Sequence, residues 1–251
     1  MGKFTICVAD TLVSVASIFE STRAFCSEYL CSAEPNCSIQ ITEENIAFER
    51  RTIEKENEWE GILPHNYSDA YLERTALQRK IAERFFEFST LLFHGSVVAL
   101  DGEAFLFTAK SGTGKSTHTR LWREVFGSRA VMINDDKPFL KIGDDGVTAY
   151  GSPWNGKHHL GSNTSAPLKA ICILERGTEN SIAEITPKEA LPMLLQQSHR
   201  PMRMTMMPAY LDLIDRLSRK VRFYRLSCTM DQQAAVVAYE GMTSKRKEDE
   251  R

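Results

Sequence analysis

The 251-residue sequence has no long apolar run and no strong excess of charge of either sign. A transmembrane helix needs about 20 mostly apolar residues, and the apolar run after Met1 is also too short for a secretory signal peptide. With 31 Lys and Arg against 33 Asp and Glu, the net charge of −2 gives no general attraction to nucleic acid or acidic membranes. We therefore expect a cytoplasmic protein that binds neither.

The six cysteines include no C-x-x-C pair, the usual element of zinc and redox motifs. Cys26, Cys31 and Cys37 lie close in sequence, so a metal or iron–sulfur site is conceivable, but their spacing matches no established pattern. Reduced structural thiols are the favoured interpretation. Hydrophobic and charged contents of 42% and 25% are typical of a soluble globular protein, and the length predicts one large domain or one domain with a small appendage.

A glycine-rich loop is the most informative pattern in the chain. A phosphate-binding P-loop has a glycine, four free positions and then Gly-Lys-Ser/Thr; here Ala109 replaces only the first glycine. Lys115 is expected to reach the β- and γ-phosphates of a nucleotide, and Ser116 to bind Mg²⁺. The predicted nucleotide-binding residues are Ser111, Gly112, Thr113, Gly114, Lys115, Ser116 and Thr117.

The flanking sequence supports the motif. Ala104–Phe107 predicts a buried strand and Thr117–Phe126 a helix with apolar residues at helical spacing, so the loop connects a strand to a helix as a P-loop does. The alternative is a flexible Gly/Ser/Thr turn that binds nothing.

The strands and helices predicted in the rest of the chain indicate a mixed sheet rather than a purely parallel one, because several of the strands form hairpins. We predict hairpins over 97–108 and 139–150, a long helix over 69–93, helices beginning at Pro187, Tyr210 and Asp231, and strands over 130–133, 168–174, 181–185 and 222–227. In the N-terminal region we predict strands over 4–9 and 38–42, with 46–50 continuing strand pairing.

An acidic pair follows the predicted strand Ala130–Ile133. Asp135 lies 20 residues beyond Lys115 (135 − 115), which leaves room for one helix and one loop, so this strand can lie beside the P-loop strand. One carboxylate of Asp135 and Asp136 would bind Mg²⁺ and the other would accept a proton from an acceptor hydroxyl. The alternative is a pair that caps a turn before Pro138.

Several further residues are candidates for the acceptor side of the site. The loop 151–159 is polar and glycine-bearing, and such loops commonly carry function. Lys157 is a candidate to stabilise the transferring phosphoryl group. The candidate substrate-binding residues are His94, Trp154, Asn155, His158, His159 and Arg200, with Arg203 as a further cation. For the histidines and arginines, structural or solvated roles are equally compatible with the sequence.

The stretch from His94 to about Arg176 resembles the catalytic domain of HPr kinase/phosphorylase and its smaller relatives, which share a P-loop fold with ATP-dependent phosphoenolpyruvate carboxykinases. The matching residues are His94-Gly95, Ser111–Thr117, Asp135-Asp136, Gly151–Lys157 and Pro167–Ile171. The resemblance implies an α/β P-loop kinase domain with a mixed sheet flanked by helices. It also implies use of ATP and Mg²⁺, with Ser116 and Asp135 near the metal and Asp136 as the base.

We therefore predict an accessory region over residues 1–60, a kinase domain over 61–240 and a disordered charged tail over 241–251. The expected activity is transfer of the γ-phosphoryl group of ATP to a small alcohol such as serine or a polyol. The alternatives are a serine in a peptide or small protein and a non-catalytic ATP-binding regulator. The resemblance is compatible with a homo-oligomer. The glycine-rich Glu/Arg signature of the bifunctional HPr enzymes is absent, so phosphorylase activity is not expected.

Overall fold

A computed structural model describes residues 2–61, 63, 65–110 and 112–244. The chain divides into two compact units, Met1–Phe88 and Ser89–Arg251, whereas the sequence analysis placed its boundary at residue 60. The helix that begins at Asp69 lies in the first unit, where Glu73 accepts hydrogen bonds from the backbone N–H groups of Ile18 (2.5 Å) and Phe19 (3.1 Å). Residues 245–251, most of the predicted tail, lie outside the described part.

As far as its residues are described, the first unit is a small sheet with three α-helices. In its described residues the strand order is β3-β1-β2-β4. The elements are β1 (Gly2–Val8), β2 (Thr11–Ser17), α1 (Glu20–Phe25), β3 (Leu30–Cys31), β4 (Cys37–Gln40), α2 (Glu43–Glu60) and α3 (Asp69–Arg84).

Two predictions in this unit were wrong. Residues 46–50 belong to α2 rather than to a strand, because Thr42 and Asn45 form a capping box that starts a helix at Glu43. The helix predicted over 69–93 ends at Arg84, is followed by a short 3₁₀ turn, Phe85–Phe88, and gives way to a strand at Thr90. Ser89 between them has a φ of 52°, which a continuous α-helix cannot contain.

The second unit is a larger mixed sheet flanked by helices, as predicted. Its elements are β5 (Thr90–Leu92), β6 (Ser96–Leu100), β7 (Glu103–Thr108), α4 (Lys115–Phe126), β8 (Ala130–Asn134), β9 (Phe139–Ile142), β10 (Val147–Tyr150), β11 (Ser165–Arg176), β12 (Ser181–Ile185), α5 (Pro187–Gln197), α6 (Met207–Lys220), β13 (Arg222–Cys228) and α7 (Gln233–Thr243). The strand order in the described residues is β5-β9-β10-β11-β7-β6-β8, with β13 on β11 and β12 on β13.

Local sequence explains most of these elements. The β6–β7 hairpin turns at Asp101 and Gly102, whose φ angles of 53° and 86° are those of a type I′ turn. Helix α5 begins at the predicted capping box of Thr186 and Glu189 and runs on through Pro192. The predicted hairpins and the strands and helices of this unit are confirmed, with ends that differ by a few residues.

The core beneath the glycine-rich loop is aromatic. Trp122 of α4 is fully buried and packs on Phe105 and Phe107 of β7, with ring centroids 5.1 and 5.2 Å apart. Burial of each such side chain stabilises the fold by about 1.5–3 kcal/mol, so α4 is held firmly against the sheet. No helix in the described residues is both long and apolar enough to span a membrane.

Candidate functional site

The candidate residues lie at one edge of the large sheet, by which we mean the side formed by the C-terminal ends of β7, β8, β11 and β13. Strands β7 and β8 both pair antiparallel with β6, so they run parallel to each other and end at the same edge. The sequence analysis placed the strand after α4 directly beside the P-loop strand. In the structure β6 lies between these two strands, β8 and β7. Strands β11 and β13 are also parallel to β7 and end at this edge. Ligands of α/β proteins commonly bind outside such strand ends.

The glycines of the glycine-rich loop have positive φ angles. Gly112 and Gly114 have φ angles of 74° and 112°, which residues with side chains rarely adopt. Ala109, where the pattern has its first glycine, is buried and is not among the residues with positive φ, so a methyl group is tolerated there. Ser111 lies outside the described residues.

Helix α4 begins at Lys115, and Gly114 is its N-cap. The unpaired N–H groups and the positive end of the dipole at a helix N-terminus favour an anion. The side chain of Ser116 is exposed in this first turn, and Thr117 is half-buried beside it. A phosphate group bound to the loop would thus meet backbone N–H groups and hydroxyl groups together.

Lys115 is the first residue of α4 and its side chain is half-buried. Its Nζ donates a hydrogen bond to the carbonyl oxygen of Ala109 at 3.3 Å. Partial burial lowers the pKa of Lys115, and the negative charge of Asp136 opposes that change. The structure therefore brings the predicted phosphate-binding lysine within electrostatic range of the second predicted half of the site.

Asp135 is buried at the end of β8. Its Oδ1 accepts a 2.7 Å hydrogen bond from the N–H of Gly156, and its carbonyl oxygen accepts one from the Ser96 hydroxyl at 3.0 Å. A side chain at Gly156 would place its Cβ 3.1 Å from Asp135 Oδ2. The loop 151–159 thus packs closely against this carboxylate, and glycine at position 156 makes the approach feasible.

Asp136 is the more accessible carboxylate of the pair. Its Oδ1 lies 3.2 Å from His94 Nε2 and 4.0 Å from Lys137 Nζ. Burial alone would raise the pKa of Asp136. The hydrogen bond from His94 and the positive charges of Lys137 and Lys115 lower it, and the net pKa is below the ordinary value. Asp136 is therefore a carboxylate at neutral pH, ready to accept a hydrogen bond or a proton.

Asn134 holds the acidic turn in place. Its buried Oδ1 accepts hydrogen bonds from the N–H groups of Asp136 (2.8 Å) and Lys137 (2.6 Å). Its Nδ2 donates to the carbonyl oxygens of Ser152 (3.2 Å) and Trp154 (3.4 Å). One amide group therefore joins the Asp135–Asp136 turn to the loop that follows β10.

That loop only partly approaches the acidic pair. Trp154 is buried, 6.4 Å from Phe139 between ring centroids. Asn155 is half-buried, and its Oδ1 has no hydrogen-bond partner in the described part of the chain. Three other candidates, Lys157, His158 and His159, have exposed side chains.

Arg200 and Arg203 are also exposed, in the connection between α5 and α6. That connection begins beside His94, whose N–H donates to the carbonyl oxygen of Gln197 at 2.7 Å. The start of this segment therefore lies beside His94, which contacts Asp136.

Four residues of this edge were not singled out from sequence: Asn134, Lys137, His118 and Arg176. Arg176, at the end of β11, donates from Nη2 to the carbonyl oxygen of Gly112 at 2.5 Å. The sequence offered no signal for it, because β11 reaches the loop only through sheet pairing.

An ion bound through nucleotide phosphates needs only one or two protein oxygens, and Mg²⁺ prefers oxygen ligands. Ser116 supplies a hydroxyl and Asp135 a carboxylate, so the available donors fit this ion. Within the described residues there is no group of three or more His, Cys, Asp or Glu side chains that could hold a metal by themselves.

Comparison with known proteins gives one firm result. No curated protein matches the chain. Among solved structures, the chain is similar to the Hpr(Ser) kinase/phosphatase from Coxiella burnetii, with 10% identity and a TM-score of 0.34 over 59% of this chain and 94% of that one; a similarity this weak supports no functional argument. The family model described as SynChlorMet cassette protein ScmC matches residues 70–239, and the chain belongs to that family.

Proposed function

We propose that the protein is an ATP-dependent kinase that transfers the γ-phosphoryl group to a hydroxyl group of a small molecule. One observation carries the proposal: the glycine-rich loop, Lys115 and the Asp135–Asp136 turn meet at one edge of the sheet. In this proposal the second unit is a P-loop domain of the HPr kinase and phosphoenolpyruvate carboxykinase type.

The loop would bind the triphosphate. Backbone N–H groups at the start of α4 would donate to phosphate oxygens, and Lys115 would exchange its contact with Ala109 for the β- and γ-phosphates. Ser116 and Asp135 would hold Mg²⁺. When bound, Mg²⁺ neutralises charge on the β- and γ-phosphates and helps to fix their geometry.

Asp136 would act as the base. The acceptor hydroxyl oxygen forms a bond to the γ-phosphorus, and the bond from that phosphorus to the β–γ bridging oxygen breaks, so ADP leaves with the electron pair. The hydroxyl proton passes to Asp136. His94, 3.2 Å from Asp136 Oδ1, would orient that carboxylate. Lys137, close by, would offset developing negative charge, a role that the sequence analysis gave to Lys157.

The acceptor would bind between the Trp154–His159 loop and residues 196–207. The loop contacts Asp135 through the hydrogen bond from the N–H of Gly156. The segment 196–207 contacts His94 through the carbonyl oxygen of Gln197. Both therefore border the position of the reacting hydroxyl. We propose a serine- or polyol-like alcohol.

The test is a screen by mass spectrometry. The protein is incubated with Mg-ATP and a pool of small metabolites, and every compound is examined for the gain of one phosphate. We expect one alcohol to gain a phosphate in step with ADP formation. A serine-containing peptide phosphorylated instead would establish the alternative acceptor. Tight ATP binding with no phosphorylated metabolite and no phosphorylated peptide would contradict the kinase proposal and favour a nucleotide-binding regulator.

A further inference from the structure

A cleft of about 550 Å³ lies beside the glycine-rich loop and is not used by the proposed chemistry. It is bordered by the loop and the first turns of α4, by Arg176 at the end of β11, and by Cys228–Met230 after β13. Lys115, His94 and the acidic pair do not line it. Because β11 and β13 lie on one side of β7 and β6 and β8 on the other, the cleft and the acidic pair flank the loop on opposite sides.

A triphosphate that crosses the loop would therefore have two distinct ends. Its γ-phosphate would lie toward Asp136, on the β6–β8 side. Its other end would point toward the β11–β13 side, where the cleft opens. Arg176 already contacts the carbonyl oxygen of Gly112 at the junction of loop and cleft.

His118 lines this cleft and carries a hydrogen-bond donor without a partner in the described residues. The side chain is only 2% exposed, and its Nε2 lies 3.1 Å from Trp122 Nε1. An indole N–H can only donate, so Nε2 must be the acceptor and the hydrogen of the neutral ring is on Nδ1. Nδ1 is buried without a hydrogen-bond partner in the described residues. A buried donor without a partner is unfavourable unless a ligand satisfies it.

We propose that this cleft holds the nucleoside of ATP and that the Nδ1–H of His118 donates a hydrogen bond to it. The inference rests on the proposed function, because it requires a nucleotide on the loop. The ring nitrogens of adenine and the hydroxyl oxygens of ribose are the acceptors available to this donor. The side chain of Met230, 79% exposed at the rim, would pack against the base.

Cys228 offers a test that needs no variant. Its thiol is half-buried in the cleft wall, whereas the half-buried Cys31 lies in the first unit and serves as an internal reference. The intact protein is alkylated in the presence of Mg-ATP, of Mg-tripolyphosphate, or of neither, and each cysteine is followed by peptide mass spectrometry. Tripolyphosphate has the phosphates without the nucleoside, so it should occupy the loop and leave the cleft open.

We expect Mg-ATP to slow alkylation of Cys228 by about tenfold or more, and tripolyphosphate to leave the rate unchanged, with Cys31 constant throughout. If calorimetry shows that ATP binds but Cys228 is not protected, the nucleoside lies elsewhere, and the kinase proposal stands without this inference. If neither ligand binds, both proposals fail.

The His118→Phe variant tests the donor itself. Phenylalanine keeps an aromatic ring against Phe107 but has no N–H group. ATP affinity should fall by about tenfold, the loss typical of one buried hydrogen bond, while tripolyphosphate affinity should not change. Equal losses for both ligands would mean that His118 only supports the loop, and the assignment would be overturned.

Discussion

Replacement of Asn134 by alanine should loosen the acidic turn and lower the stability of the second unit. The buried Asn134 amide bonds to two N–H groups, of Asp136 and Lys137, and to two carbonyl oxygens, of Ser152 and Trp154. Alanine would leave all four backbone groups without this partner. A buried polar group left unsatisfied costs about 1–3 kcal/mol.

The expected loss is about 2–4 kcal/mol in the free energy of unfolding, since only the two N–H groups have short hydrogen bonds and water can reach some of the space vacated. With an m value of about 2 kcal/mol/M, the urea midpoint should fall by about 1–2 M. Urea unfolding followed by fluorescence measures this, because Trp122 and Trp154 are both buried in the unit.

The Ser152→Ala variant is the matched control. It removes a hydroxyl that donates to the carbonyl oxygen of Lys137 at 2.6 Å and accepts from Asn134 Nδ2 at 3.2 Å, but it leaves the four backbone contacts of the Asn134 amide in place. The free energy of unfolding of this variant should fall by less, about 1 kcal/mol. If Asn134→Ala costs less than Ser152→Ala, or less than about 0.5 kcal/mol, the amide does not organise the turn as we argue.

Three further predictions concern the loop, the core histidine and a glycine. Lys115→Met should lower Mg-ATP affinity by at least about tenfold, because charged hydrogen bonds to phosphate are lost; unchanged affinity by calorimetry would remove Lys115 from the site. Burial lowers the pKa of His118 to about 4, so below about pH 6.5 the unfolded chain binds a proton that the folded chain does not. Stability should therefore fall by about 3 kcal/mol from pH 6.5 to 4, and a His118→Phe variant with the same pH dependence in urea unfolding would refute this. Gly161→Ala should cost about 1–3 kcal/mol, since its Cβ would lie 1.9 Å from Asn155 Oδ1, while Gly143→Ala, with 3.7 Å to its nearest atom, should be nearly neutral in melting temperature.

Patterns confined to neighbouring residues were predicted well from sequence. The Asp101-Gly102 turn and the Thr186 capping box each depend on a few adjacent residues whose conformational preferences are strong. The fold class followed from them, because hairpins separated by helices produce a mixed sheet. The start of α2 was missed although Thr42 is a good helix cap, since the apolar residues Ile46 and Phe48 alternate as in a strand.

The candidate site could be predicted only in part, because much of it depends on pairing between distant strands. Lys115 and Asp136 were proposed from their motifs, but nothing local indicates that β6 lies between β7 and β8, the strands that precede them. Asn134 accepts from N–H groups two and three residues away, but its contacts with the loop after β10 span 18 and 20 residues, and the contact of Arg176 with Gly112 spans 64. The exposed position of Lys157 depends likewise on how its loop packs, which composition does not reveal.

The central claim is that Asp136 serves phosphoryl transfer from ATP rather than nucleotide binding. The decisive measurement compares the wild type with Asp136→Asn for ATP affinity by calorimetry and for ADP and phosphorylated product by mass spectrometry, with the acceptor pool present. Asparagine keeps the size of the side chain but cannot accept a proton as the carboxylate does. We predict ATP affinity within about threefold of wild type and transfer slowed by about 10²–10⁴-fold. Transfer at the wild-type rate would contradict the assignment of Asp136 as the base.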